Sequence, residues 1–231
     1  MTYAMSDIHG EYKKYLKMLE KIGFCDDDEL YVLGDVVDRG EQPIEILLDM
    51  MERPNVFALM GNHELIALDL LPKLDKSLVE NDGIPDDDIL EPLLLWVNNG
   101  GKPTVSKFCK LDAEQRRDVI DYLKEFTLLE AVDVGENSFV LVHAGLGNYR
   151  PDKKLRDYTD EELLFCRPNP SEQYFDDESC FTVMGHTPTP HFSGKPEIYK
   201  NGRNIFIDCG ACNPKGRLAC ICLETLEEFY V

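Results

Sequence analysis

Short apolar runs along the chain end abruptly in small polar clusters, and the pattern recurs five times. Tyr3–Met5 leads into Asp7, Ile8, His9 and Gly10. Leu30–Leu33 leads into Gly34, Asp35, Val36, Val37, Asp38, Arg39 and Gly40. Val56–Met60 leads into Gly61, Asn62, His63 and Glu64. Further on, Phe139–Val142 runs into His143, Ala144 and Gly145, and Phe181–Met184 into Gly185, His186 and Thr187. Each run has the length and composition of a strand. Between the early ones, Glu11–Ile22 and Pro43–Met51 place apolar residues at spacings of three and four, the helical period. Strands alternating with helices imply βαβ units, and in such sheets chemistry gathers beyond the carboxyl ends of the strands. The five clusters are therefore expected to meet along one edge.

Residues 65–126 depart from this rhythm. Their periodicity is helical, interrupted by an acidic loop at Asn81–Asp88 and a turn at Gly100 and Gly101, with Asp112 as N-cap of a helix running to Glu125. This segment is expected to be a helical insertion covering one side of the polar edge. Glu130–Val134 and Phe139–Val142 predict a hairpin about Gly135, Glu136 and Asn137. Asn204–Asp208, Leu218–Leu223 and Glu228–Val231 predict further strands. At 231 residues the chain suits one domain, 1–231, with 65–126 inserted in it.

Composition narrows the function classes. The formal charge of −20, from 44 acidic and 24 basic residues, argues against general nucleic-acid binding, which needs clustered Lys and Arg. A phosphorylated substrate stays compatible, because bound cations invert the local field. The acidic runs Asp26–Glu29 and Asp86–Asp88 read as solvated loops. Apolar runs such as Leu93–Val97 are too short to span a membrane, and the first motif starts too early to leave room for a cleaved leader. Eight cysteines without such a leader point to reduced thiols in the cytoplasm. Cys209 and Cys212 form a CxxC, but Cys220 and Cys222 have the wrong spacing for a second zinc knuckle. Alternation along Leu218–Leu223 puts that second pair on one face of a strand.

Four of the five histidines, His9, His63, His143 and His186, directly follow the strand-like runs. With Asp7, Asp35 and Asn62 they make an imidazole and carboxylate set suited to manganese, iron or zinc. His191 falls outside the clusters and reads as a surface or loop residue.

Asp-x-His-Gly, Gly-Asp-x-x-Asp-Arg-Gly, Gly-Asn-His-Glu, His-Ala-Gly and Gly-His-Thr, in this order from Asp7 to His186, resemble the calcineurin-like metallophosphoesterases. Within them the chain is most similar to the phosphoprotein phosphatases and their small bacterial and phage members. Trp96 to Gly101, followed by Thr104, resembles the bacterial branch, and Ala144 stands where eukaryotic members usually have Gly. The resemblance implies two packed, mostly mixed β-sheets flanked by helices, an α/β sandwich with a dimetal site at one edge. It implies that Asp7, His9 and Asp35 hold one cation, and that Asp35, Asn62, His143 and His186 hold a second, with Asp35 shared. A shared carboxylate can hold cations about 3.5–4 Å apart, close enough for both to grip one phosphate. Manganese is the expected metal, with iron, zinc or nickel as alternatives. A hydroxide bridging the pair would attack phosphorus in line, His63 would protonate the leaving oxygen, and Asp38 would orient His63. Arg39, Asn62 and Arg167 would bind the phosphate; Arg167 lies in a segment with Phe165 where the family has Trp. Glu64 is expected to begin a helix or brace a neighbour.

Hydrolysis of phosphomonoesters follows, with phosphoserine or phosphothreonine in proteins as the expected substrate and no membrane partner. Two other readings stand beside it. One is a dinucleoside polyphosphate hydrolase, such as a diadenosine tetraphosphate hydrolase, which uses similar motifs. The other is a non-catalytic metal-dependent binding protein, disfavoured because Asp38, Arg39, Asn62 and His63 are all present.

Overall fold

The computed structural model describes residues 1–80 and 85–231. Among the described residues, ten strands form two five-stranded sheets. The first holds β1 (Thr2–Met5), β2 (Glu29–Val32), β3 (Val56–Ala58), β9 (Ala219–Cys222) and β10 (Glu228–Tyr230), in the order β10-β9-β1-β2-β3. β1, β2 and β3 run parallel, because α1 (Tyr12–Ile22) and α2 (Pro43–Met51) return the chain between them. The second sheet holds β4 (Leu129–Val134), β5 (Asn137–Val142), β6 (Cys180–Met184), β7 (Tyr199–Asn201) and β8 (Asn204–Phe206), in the order β4-β5-β6-β8-β7. Here β5, β6 and β8 are parallel, and the predicted hairpin is the antiparallel pair β4–β5.

Alternation sorts the side chains. Along β9, Ala219 and Ile221 enter the cluster between the sheets with Ala4, Leu33, Leu141, Val183 and Ile205. Cys220 and Cys222 face the opposite way, into the core shared with Met5, Met18 and Leu47. Both faces of the strand are buried, so its run is almost wholly apolar. Among the described residues, no group of three or more possible metal ligands includes a cysteine.

Between β3 and β4 lie α3 (Asn62–Glu80), α4 (Asp87–Trp96), α5 (Lys102–Phe108) and α6 (Ala113–Lys124). α6 begins with a full capping box in which Asp112 accepts from the Glu114 and Gln115 amides, both at 2.9 Å. Two local expectations change, and a third is met. Of the acidic loop at 81–88, residues 81–84 lie outside the described residues. Asp87 and Asp88 form the first turn of α4, where the helix dipole favours them. Gly100, at φ 110° and outside helical geometry, breaks the helical path between α4 and α5, as the expected turn between helices requires. In the run Asp26–Glu29, Asp28 is buried against the Met1 ammonium at 2.7 Å and Glu29 opens β2. α7 (Asp160–Leu164), α8 (Pro190–Ser193) and β7 are too short to show a period in the sequence.

Candidate functional site

Three parallel strands from each sheet end at one edge, and each delivers residues there: Asp7 and His9 after β1, Asp35, Asp38 and Arg39 after β2, and Asn62 and His63 at the start of α3. The second sheet delivers His143 after β5, His186 after β6 and Asp208 after β8. The backbone is bent hard to do this. Among the described residues, eight non-glycine residues have positive φ, and six of them are Asp7, His9, Asp35, Asp38, Arg39 and His186. Such conformations cost of order 1–3 kcal/mol each and persist only where surroundings enforce them. Close packing is part of that enforcement: a Cβ on Gly61 would strike the Asp35 carboxylate, and one on Gly185 would strike Asp7.

Asp35 sits at the centre. Its Oδ2 is 3.4 Å from His9 Nε2 and its Oδ1 is 3.5 Å from His143 Nε2, so one oxygen faces each ring. The far nitrogens fix the tautomers. His9 Nδ1 donates to the Val37 carbonyl at 2.9 Å and His143 Nδ1 to the Leu33 carbonyl at 2.7 Å, which leaves each Nε2 as a lone pair. Burial opposes ionisation of Asp35, yet the His143, His9 and His63 rings hold its carboxyl well below the ordinary range. Burial pushes His9 down to about 4 and His186 to about 3, and lowers His143 too.

The donor set suits divalent cations. Ligand-capable atoms of His9, Asp35 and His63 lie within 4.8 Å of one another, as do those of Asp35, His143 and His186, and the two groups share Asp35. Asn62 Oδ1 lies 3.0 Å from His143 Nε2. In this amide orientation two acceptors face each other, an arrangement that a cation between them satisfies. Asp7 is outside both groups. Its Oδ2 accepts from the Ser6 hydroxyl and, at 2.9 Å, from the His186 amide, bracing one sheet against the other.

His63 Nδ1 and Asp38 Oδ2 are 2.6 Å apart and buried. Burial works against charging His63, but the Asp38 hydrogen bond and the Asp35 and Asp38 charges outweigh it and hold its pKa above the ordinary histidine range. Asp38 is itself held: Trp96 Nε1 donates to Oδ2 at 2.7 Å, the Thr104 hydroxyl donates to Oδ1 at 2.6 Å, and the Asp38 amide donates to Thr104 Oγ1 at 3.0 Å. The helices after β3 thus supply the support of this pair.

Arg39 lies across the site, with Nη1 2.7 Å from His9 Nε2 and Nη2 3.0 Å from His63 Nε2. At His9 the guanidinium and a cation compete for one lone pair. Arg167 is exposed, and donates to Thr187 Oγ1 at 3.2 Å beside His186. His191 is exposed on α8, away from these groups.

Two residues of the site escaped the sequence reading or exceeded it. Glu64 is fully buried and accepts from four backbone amides: Asp35 at 2.7 Å, Val36 at 2.8 Å, and Val37 and Gly61 both at 3.0 Å. It braces the loop after β2. Asp208 is buried and accepts from the Gly210 amide at 2.8 Å; burial first, and then the Asp208 charge, raises the pKa of Asp7. Burial, then the Asp35 charge, pushes Asp208 itself up to about 6. Its signal was available: an apolar run ending in Asp and Gly, as in the other clusters.

The family model of the calcineurin-like phosphoesterases matches residues 2–208. A symmetrical bis(5'-nucleosyl)-tetraphosphatase of Proteus mirabilis is 25% identical over 98% of this chain and 73% of its own length. Serine/threonine-protein phosphatase 2 of Salmonella typhimurium is 25% identical over 62% of this chain and 57% of its own length. Matches to several further tetraphosphatases cover less than half of those proteins. Among solved structures, one described as a candidate diadenosine tetraphosphatase superposes over 100% of this chain and 92% of its own, with a TM-score of 0.67 and 17% identity. At that identity the likeness speaks for the fold alone.

Proposed function

The chain belongs to the calcineurin-like phosphoesterase family, a group of metal-dependent phosphoric ester hydrolases, and from that premise we propose that it cleaves dinucleoside tetraphosphates symmetrically into two nucleoside diphosphates. The observation that carries this reading is the extent of the tetraphosphatase match, 98% of the chain against 62% for the Salmonella protein phosphatase. It replaces phosphoproteins as the preferred substrate, so the bond cut is a phosphoanhydride rather than an ester, with the same groups placed around the phosphorus.

Asp7, His9 and Asp35 would hold one cation, and Asp35, Asn62, His143 and His186 the other; Asp35 directs one oxygen to each side. The bound pair supplies Lewis acidity and lowers the pKa of water enough to yield a nucleophile at neutral pH. The chain's own groups do the rest. Arg39 turns from the His9 and His63 rings to the non-bridging oxygens, where its planar fork matches two acceptors, and Arg167 reaches them from the side of Thr187. His63, charged through its bond to Asp38, donates from Nε2 to the leaving oxygen. Asp38 keeps the ring oriented because Trp96 and Thr104 hold both of its oxygens.

The test is turnover of diadenosine tetraphosphate beside a phosphoserine peptide panel, with manganese-loaded protein. The tetraphosphate should give ADP alone with the higher kcat/KM. Faster hydrolysis of the peptides would return the substrate to phosphoproteins.

A further inference from the structure

A groove of about 360 Å³ runs between α3 and α4, beside the catalytic edge and unused by the chemistry described above. On α3 its wall is Ile66, Asp69 and Leu70, which continue along the helix the face that begins with Asn62 and His63. The opposite wall is Pro92, Leu95 and Trp96 of α4 and Asn99 just past its end, at helical spacings of three, four and seven. Leu95 is 64% exposed, an apolar side chain left open to solvent at the mouth.

Three links join the groove to the catalytic edge. Trp96 lines it and donates its indole N–H to Asp38. Asn99 lines it and precedes Gly100, whose carbonyl accepts from the Arg39 amide at 2.9 Å. Ile66 stands one turn along α3 from His63. From Asn62 to Asp69 the helix rises by about 10 Å, at 1.5 Å per residue. A ribose and the inner phosphate of a nucleoside diphosphate bridge a gap of that order when the outer phosphate sits among Asp35, Asn62 and His63.

We infer that this groove is a nucleobase subsite, which seats one base of a dinucleoside polyphosphate while its phosphate chain lies across the His63 and Arg39 edge. This rests on the tetraphosphatase reading and names where that substrate's recognition resides. A flat heteroaromatic base suits the walls: Ile66, Leu70, Pro92 and Leu95 contact its faces. The Asn99 amide offers a donor and an acceptor to its edge. Asp69, bonded to Lys73 at 2.7 Å and otherwise open to solvent, offers a carboxylate oxygen to an exocyclic amine. A base is also the uncharged end of the substrate. It is the part that a chain of net charge −20 can bind without opposing anions.

Trp96 is the only tryptophan in the chain, so its emission reports on the groove. The experiment titrates magnesium-loaded protein with ADP and, separately, with pyrophosphate, for wild type, Leu95→Asp and Asn99→Ala. Turnover of diadenosine tetraphosphate, of a phosphoserine peptide and of nitrophenyl phosphate is measured in parallel. ADP should change Trp96 emission saturably and pyrophosphate should not. Leu95→Asp, at an exposed position, should raise the ADP midpoint about tenfold and lower kcat/KM for the tetraphosphate by a similar factor relative to nitrophenyl phosphate. Asn99→Ala should move both in the same direction. Equal responses to ADP and pyrophosphate, or a tetraphosphate-to-nitrophenyl ratio indifferent to both substitutions, would overturn the subsite even if the tetraphosphate is cleaved. No tetraphosphate turnover with the ADP response intact would overturn the substrate reading and leave the subsite standing. A Leu95→Asp defect confined to phosphopeptides would assign the groove to peptide side chains and end the nucleobase assignment.

Discussion

Asp38 lets His63 keep a proton that burial alone would remove, and this makes the pair the most testable part of the chemistry. A basic alkoxide needs that proton as it leaves, whereas nitrophenolate is stable without it. His63→Asn should therefore slow an alkyl phosphomonoester such as a phosphoserine peptide by about 10²–10⁴-fold, and nitrophenyl phosphate clearly less. Arg39→Ala, at oxygens common to both, should cost them alike. These are kcat comparisons at matched metal occupancy, and an equal loss on both substrates for His63→Asn would remove the acid role. The pair also sets a pH limit. Asp38 raises the His63 pKa, so Asp38→Asn should lower it, and the high-pH limb of kcat, where the acid loses its proton, should move to lower pH. A limb that stays in place would detach His63 from the proton transfer. At this scale the sequence was informative where chemistry is carried by rare residues in repeated settings, as with four of the five histidines. It was silent on what Glu64 grips, because its four donors are backbone amides that any sequence has.

The elements explain why those residues converge. Parallel strands β1, β2 and β3 of one sheet and β5, β6 and β8 of the other all end at the same edge, and the loops beyond them are held in left-handed turns. Glu64, in the first turn of α3, ties three consecutive amides of the loop after β2 to Gly61. Burial, then the Asp35 charge, pushes Glu64 up to about 7, while its four amide donors favour the carboxylate; Glu64→Gln leaves them one acceptor oxygen in place of two. Hydrogen bonds to charged groups contribute about 1.5–3 kcal/mol, so the melting temperature should fall measurably. Metal affinity should weaken by about 10–100-fold, as is usual when the support of a ligand is lost. Unchanged affinity in a folded variant would show that the brace is purely structural. Strands with clear alternation and helices such as Pro43–Met51 were legible from the sequence. The break at Gly100 was legible too, since two adjacent glycines interrupt a helical pattern that resumes beyond them. Periodicity did not show that Trp96 and Thr104 would turn back onto Asp38, a contact 58 to 66 residues away in sequence.

Across the whole molecule, two sheets meet only approximately as equals: the first brings Asp7, His9, Asp35 and Asn62 to the edge, the second brings His143 and His186. Among these residues and His63, ligand-capable atoms of His9, Asp35 and His63 form one group and those of Asp35, His143 and His186 another, sharing Asp35. No helix among the described residues is long and apolar enough to cross a membrane. The general architecture followed from the alternation of elements, while the pairing of the two sheets came only with the family resemblance, because a sequence pattern does not say which sheet a strand joins. Chelation should abolish activity and manganese should restore it. The central claim is that activity requires two cations sharing Asp35, and the most direct measurement is metal content per chain against turnover for wild type, Asp35→Asn and His186→Ala. Wild type should reach full activity only as the second cation binds, Asp35→Asn should lose affinity at both positions, and His186→Ala mainly at one. Full turnover by metal-free protein, or normal occupancy of both positions in Asp35→Asn, would contradict the account.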